Sequence, residues 1–161
     1  MTYEIVSPTS DQAATLAKLW RPTFEFHHKL DPAYYVPDSE ALASYLPEYL
    51  AEVIEDSEKQ VRAAKNERGE FLGLVIFWQD AEPHFDTNIR DFVLVSELFV
   101  AETARGMGVG AALMAATEVF AKSRGMKYMK LMASKFNTTA LRLYERLGYV
   151  DQQRLMFKEI T

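Results

Sequence analysis

The sequence predicts an α+β domain, and three observations carry that prediction. Segments with strand-like and helix-like periodicity follow one another in the order β-α-α-β-β-β-α-β-α-β. One long apolar strand runs directly into a glycine-rich turn and a helix, the mark of a β-loop-α-β crossover. The chain is 161 residues long, which at roughly 150 residues per domain allows one domain. With 48% hydrophobic and 12% aromatic residues it can build a sizeable core, so disorder is excluded. It has no cysteine, which excludes a disulfide scaffold, a thiolate nucleophile and Cys-ligated metal, and makes the cytoplasm the expected location.

Each element has a local reason. Residues 3–6 form a strand, closed by Ser7-Pro8 because proline cannot donate to a ladder. Ser10 or Asp11 is expected to cap a helix whose apolar side carries Ala14, Leu16, Leu19 and Trp20, until Pro22 interrupts it. Residues 24–37 are rich in aromatics without a regular period. Residues 39–55 place Leu42, Leu46, Leu50 and Val53 at helical spacing, with a bend or break expected at Pro47.

Residues 60–65 and 71–79 read as a hairpin turned by Asn66-Glu67-Arg68-Gly69. Residues 80–90 are polar and turn-rich. Residues 92–100 are apolar except for Ser96 and Glu97, a strand long enough to lie centrally in a sheet. Behind the glycine loop of residues 104–110 a helix runs to about Ser123, with Gly125 past its end. A strand at 128–133, a helix at 137–147 ending at Gly148, and one or two closing strands within 149–160 complete the expectation.

Charge narrows the partners. Eighteen Lys plus Arg against 23 Asp plus Glu give a net charge of −5, which argues against nucleic acid and mildly favours cationic small molecules. The amino terminus has neither the basic nor the apolar region of a signal peptide, and no apolar run approaches the roughly 18 residues of a membrane span, so no membrane partner is expected. His27 and His28 are adjacent and point ~100° apart on a helix, which makes a shared metal ion a poor reading; no metal is expected.

Gly106, Gly108 and Gly110 stand between a strand and a helix, where unhindered backbone N–H groups and the positive helix end suit a phosphate, with Arg105 to reinforce them. Residues 106–111 formally match the dinucleotide fingerprint G-x-G-x-x-G/A. That pattern needs a carboxylate about 20 residues on, and the next strand ends in Met132-Ala133-Ser134-Lys135, so a nicotinamide oxidoreductase is a poor reading. A Walker loop is excluded by the absence of any Gly-Lys pair.

In another register the loop is Arg105-x-x-Gly108-x-Gly110. Leu98-Phe99-Val100 precedes it, and Asn137-x-x-Ala140-x-x-x-Tyr144-x-x-x-Gly148-Tyr149 follows. This succession resembles the GNAT N-acetyltransferase superfamily, whose [Gln/Arg]-x-x-Gly-x-[Gly/Ala] loop holds the pyrophosphate of acetyl-CoA. The resemblance covers roughly residues 70–157. It implies a single-domain GNAT fold: a mixed central sheet with helices on both faces and two parallel strands splayed at the cofactor. Residues 1–60 would form the variable, acceptor-side region and residues 70–157 the acetyl-CoA-binding core. The implied cofactor contacts are Leu98, Phe99, Val100, Arg105, Gly106, Met107, Gly108, Val109, Gly110, Ala111, Asn137 and Tyr144, and homodimers are common in the family.

Acetyl transfer from a thioester to an amine needs a neutral nitrogen, a stabilised oxyanion and a proton for the leaving thiolate. Tyr144 lies two helical turns, ~10.5 Å, beyond Asn137 on one helix face, so its phenol can reach deeper along a bound arm than Asn137 does. By resemblance Tyr144 is the general acid. Glu97 is the one carboxylate in the long apolar strand, where it alternates with Val93, Val95 and Phe99; by resemblance it deprotonates the amine, with a histidine or water as alternative base. Phe24, His27, His28 and Tyr35, together with Glu97, are the candidate acceptor contacts, and residues 80–86, with Asp80, Glu82, His84 and Asp86, could draw in a cation. The expected activity is acetyl-CoA-dependent N-acetylation of a small-molecule or peptide amine. The alternative is a non-catalytic acyl-CoA-binding regulatory module.

Overall fold

The computed structural model describes residues 2–83 and 86–160. Five strands form one sheet in the order β1-β2-β3-β4-β5: β1 Tyr3–Val6, β2 Lys59–Asn66, β3 Phe71–Ala81, β4 Asp91–Val100 and β5 Met129–Leu131. The first four pair antiparallel and β4 pairs with β5 in parallel, so the sheet is mixed as the fold class requires. Five α-helices cover it: α1 Ala13–Trp20, α2 Pro22–Leu30, α3 Glu40–Glu55, α4 Val109–Ser123 and α5 Thr138–Arg146.

Side-chain alternation on β3 divides the core in two. Leu74 and Ile76 face α1 and α3, packing with Leu16, Trp20, Leu46, Leu50 and Val53. Leu72, Val75 and Phe77 face α4, packing with Val109, Leu113 and Met114. The β2–β3 turn is held by Asn66, whose Oδ1 accepts from the N–H groups of Arg68 and Glu70 at 3.0 and 2.9 Å. Gly69 takes the left-handed conformation the turn demands, with φ +81°.

Several elements depart from expectation, each for a physical reason. α1 ends at Trp20, ahead of Pro22 as expected, but Pro22 then occupies the first position of α2, where its fixed φ and missing N–H cost nothing, and residues 24–30, expected to lack a regular period, are helical. Neither Ser10 nor Asp11 caps α1: both lie in a 3-10 turn, Ser10–Gln12, capped by Thr9, whose N–H donates to Gln12 Oε1 at 3.2 Å, and Gln12 is the N-cap residue of α1. The expected break at Pro47 does not occur. The helix runs unbroken from Glu40 to Glu55, because Leu46 before the proline and Leu50 and Val53 after it are buried on one face and hold both halves to the sheet. The β5 strand is three residues long, and among the described residues no closing strand follows α5. Residues 150–160 are exposed without regular structure, their polar Asp151-Gln152-Gln153-Arg154 run giving no alternating face to bury.

Gly73 tests the packing of the sheet centre. A Cβ there would lie 2.5 Å from the Phe99 carbonyl oxygen and 3.2 Å from Val100 Cα, both backbone atoms that cannot rotate away. Gly73→Ala is expected to destabilise the fold by about 2 kcal/mol or more, measured as a lower urea midpoint with an unchanged slope.

Candidate active site

The site is built where β4 parts from its neighbours. Its ladder with β5 covers Val93, Leu94 and Val95 and then stops, leaving the β5-side edge of residues 96–100 without a strand partner. On the other edge the register to β3 slips by one residue: Phe77 faces Val95, Ile76 faces Glu97, and Ser96 is the extra residue of a β-bulge. The bulge reverses the alternation. Val93 and Val95 belong to the α4-side core, whereas Phe99 belongs to the α1–α3 side and Glu97 sits opposite Ile76 of that side. The expectation that Glu97 shares a face with Val93 and Val95 is therefore corrected, because period-2 counting fails across an inserted residue.

Glu97 is half-buried in this position, and burial raises its carboxyl to about 7. Two tyrosines sense its charge from opposite sides. Tyr144 of α5 packs on the α4-side core against Tyr149, ring centroids 5.7 Å apart, and is raised to about 12, first by burial and then by Glu97. Tyr49 of α3 packs in the α1–α3 core at 6.2 Å from Trp20 and 5.6 Å from Tyr45, and is also raised by burial and by Glu97. Sequence reasoning missed Tyr49; its place one turn from buried Leu46 and Val53 on α3 is the signal that could have found it. Trp20 Nε1, buried in the same cluster, has no hydrogen-bond partner among the described residues.

The glycine loop begins at the end of β4. Gly106 and Gly108 hold φ of +78° and +80°, and Gly108 is the N-cap of α4. The first intrahelical bond runs from the Ala112 N–H to the Gly108 carbonyl at 3.0 Å, so the N–H groups of Val109, Gly110 and Ala111 lie ahead of it. Gly110 does a different job from its neighbours. A Cβ on it would meet Leu143 Cδ2 at 3.1 Å, so its bare Cα gives room for α5 to pack against the start of α4. Met107 packs against the α4-side core. Asn137 caps α5, its Oδ1 accepting from the Ala140 N–H at 3.1 Å. Leu98 and Val100 point to the α4 side and Phe99 to the other.

The candidate acceptor residues form a separate group on α2 and the segment after it. Phe24 stacks on Trp20 at 5.6 Å, His27 on Tyr35 at 5.0 Å, and His28 Nδ1 lies 2.7 Å from the Tyr35 carbonyl oxygen. Burial lowers the His27 imidazole. Tyr49 and Tyr144, outside this group, both feel the charge of Glu97. In the 80–86 segment Glu82 is held by Lys130 Nζ at 2.9 Å; His84 lies outside the described residues.

This geometry has counterparts. A family model described as "Acetyltransferase (GNAT) family" matches residues 15–149. The chain belongs to the GNAT acetyltransferase family. An uncharacterized N-acetyltransferase of Bacillus subtilis, YhfO, is 30% identical over 144 residues, covering 89% of this chain and 86% of that protein. Among solved structures, a tetramutant of the BH1408 protein from Bacillus halodurans superposes with a TM-score of 0.85 at 22% identity, covering 99% and 100% of the two chains. The aminoglycoside N-acetyltransferase AAC(6')-Iy, in complex with CoA, superposes with a TM-score of 0.71 at 18% identity, covering 99% and 95%. At these identities the structural likenesses establish the fold alone. Among the described residues no helix is long and apolar enough to cross a membrane.

The raised Glu97 carboxyl has a stability consequence of definite sign. Its ionised form is disfavoured in the folded state, so the group is neutral and harmless below about pH 4.5 and weakens the fold progressively as pH rises through about 7. Glu97→Gln is expected to raise the melting temperature at pH 8.5, by at most about 3 kcal/mol of stability, with the gap closing below pH 5. Thermal melts of both proteins across that range check it.

Proposed function

We propose that this GNAT-family protein transfers an acetyl group from acetyl-CoA to a primary amine of a small molecule or peptide, by direct attack. The observation that carries the reading is the half-buried Glu97, raised to about 7 beside the parted strands, with Tyr144 of α5 near enough to feel its charge. A carboxylate near 7 accepts a proton at neutral pH without being locked into its ionised form, and a phenol held near 12 carries its proton throughout the neutral range, available to a thiolate as the C–S bond breaks.

The steps balance on this chain's own groups. Glu97 removes the proton from the incoming ammonium, directly or through water. The free amine nitrogen attacks the thioester carbonyl carbon, and a backbone N–H on the free edge of residues 98–100 donates to the developing oxyanion. The C–S bond breaks, and the Tyr144 phenol donates its proton to the departing thiolate. The product nitrogen sheds its second proton to Tyr144 or to solvent.

Residues 98–111 hold the cosubstrate. The open edge of residues 98–100 pairs with the amides of the pantetheine arm as an added strand would. The N–H groups of Gly108, Val109, Gly110 and Ala111, at the positive end of α4, receive the pyrophosphate, with Gly106 and Met107 shaping the approach and Arg105 adding charge. Asn137 keeps Oδ1 on its cap and offers Nδ2 to the arm. On this reading residues 70–157 are the cofactor core, with Tyr49, Trp20 and the α2 group of Phe24, His27, His28 and Tyr35 as acceptor wall. The net charge of −5 favours cationic acceptors.

Two measurements test the reading. Release of free CoA thiol from acetyl-CoA across a panel of amines should identify an acceptor; CoA binding without turnover on any amine would favour a regulatory acyl-CoA-binding module. With an acceptor in hand, Tyr144→Phe is expected to lower kcat by about 100-fold with KM for acetyl-CoA nearly unchanged. Glu97→Gln should remove the limb of the kcat/KM profile near pH 7; an unshifted profile would assign the base to a histidine or to water.

A further inference from the structure

Helix α2 is lightly anchored, and Phe26 ties it to the glycine loop. None of the nine residues of α2 is fully buried. Arg21, just before it, bonds Asp38 at 2.7 Å through Nε, and Phe24 rests on Trp20. The remaining long-range tie is Phe26, whose ring lies under the Arg105 guanidinium, 5.6 Å from centroid to Cζ. Among the described residues no carboxylate lies within ion-pair distance of Arg105, so Phe26 is the contact that orients this exposed cation.

We propose that Phe26 is a positioning residue for phosphate recognition: it holds Arg105 facing the anion site of the glycine loop and so couples cosubstrate affinity to the acceptor-side helix. The inference rests on the proposed acetyl-CoA reading of residues 105–111. Its physical basis is the shape of a guanidinium. Stacking on a ring uses the flat face and leaves the N–H donors, which lie in the plane, free to engage phosphate oxygens. An arginine held by its face loses less rotamer freedom when the phosphate arrives than one waving in solvent.

The tie also has a continuation. The Phe26 and His27 rings are 5.5 Å apart, His27 and Tyr35 stack at 5.0 Å, and Tyr35 meets Tyr34 edge-on at 4.9 Å. A run of ring contacts therefore joins Arg105 to the candidate acceptor residues.

The test compares binding of CoA with binding of pantetheine, which lacks the phosphates, by calorimetry. Phe26→Leu is expected to weaken CoA by 3- to 10-fold and leave pantetheine unchanged, with Phe26→Trp restoring CoA affinity. In an Arg105→Gln background Phe26→Leu should add no further loss for CoA. Equal weakening of CoA and pantetheine, an undiminished loss without Arg105, or no loss at all would overturn the proposal. Failure of the unmodified protein to bind CoA would overturn the acetyl-CoA reading itself, and this proposal with it.

Discussion

One inserted residue organises the centre of this protein. A regular sheet is a wall: side chains on its two faces are kept apart by the backbone, and a group on the α1–α3 side has no way to act with a group on the α4–α5 side. At Ser96 the wall opens, because the bulge consumes a residue without pairing it while the ladder to β5 has already ended at Val95. Glu97 is delivered to this opening. Tyr49 from one face and Tyr144 from the other both feel its charge.

The opening has an energetic cost that the surrounding packing offsets. A half-buried carboxylate and the unpaired edge of residues 96–100 are both unfavourable in isolation. They persist because the flanks are over-determined: Ile76, opposite Glu97, Val75, opposite Leu98, and Leu74, opposite Phe99, are all fully buried, and Gly73 brings β3 so near the end of β4 that no side chain fits between them. The rigid half of the sheet holds the irregular half in place. Polar groups left without partners in such a setting, Trp20 Nε1 included, are where a bound molecule has the most to gain.

The sequence made part of this visible and hid the rest for identifiable reasons. The glycine loop, the strand before it, and the Asn137-to-Tyr144 spacing are local patterns, and the structure contains the elements they imply. The division of labour among the glycines is not local: Gly110 serves the approach of α5 through Leu143, which only the tertiary structure reveals. Period-2 counting put Glu97 with Val93 and Val95, and a bulge leaves no mark in such a count. Pro22 was ambiguous in principle, since the same residue ends one helix and begins another. Strand character in residues 149–160 rested on apolar content alone, and β5, with three paired residues, supplies too short an edge to organise them.

The proposed acid and base also explain why both groups must share one opening. Burial raises a carboxyl and a phenol alike, since each ionises to an anion, and the negative charge of Glu97 raises Tyr144 further. The coupling acts in a useful direction during turnover. When Glu97 is ionised and ready to take a proton from the amine, Tyr144 is held most firmly in its protonated form, ready to give one to the thiolate. Once Glu97 has been neutralised by that proton, its hold on the phenol relaxes, and Tyr144 becomes a stronger acid at the stage when the leaving group needs it. Glu97 is tuned by its burial, and Tyr144 by its own burial and then by Glu97, so placing the two at one break in the sheet lets the state of the base adjust the acid.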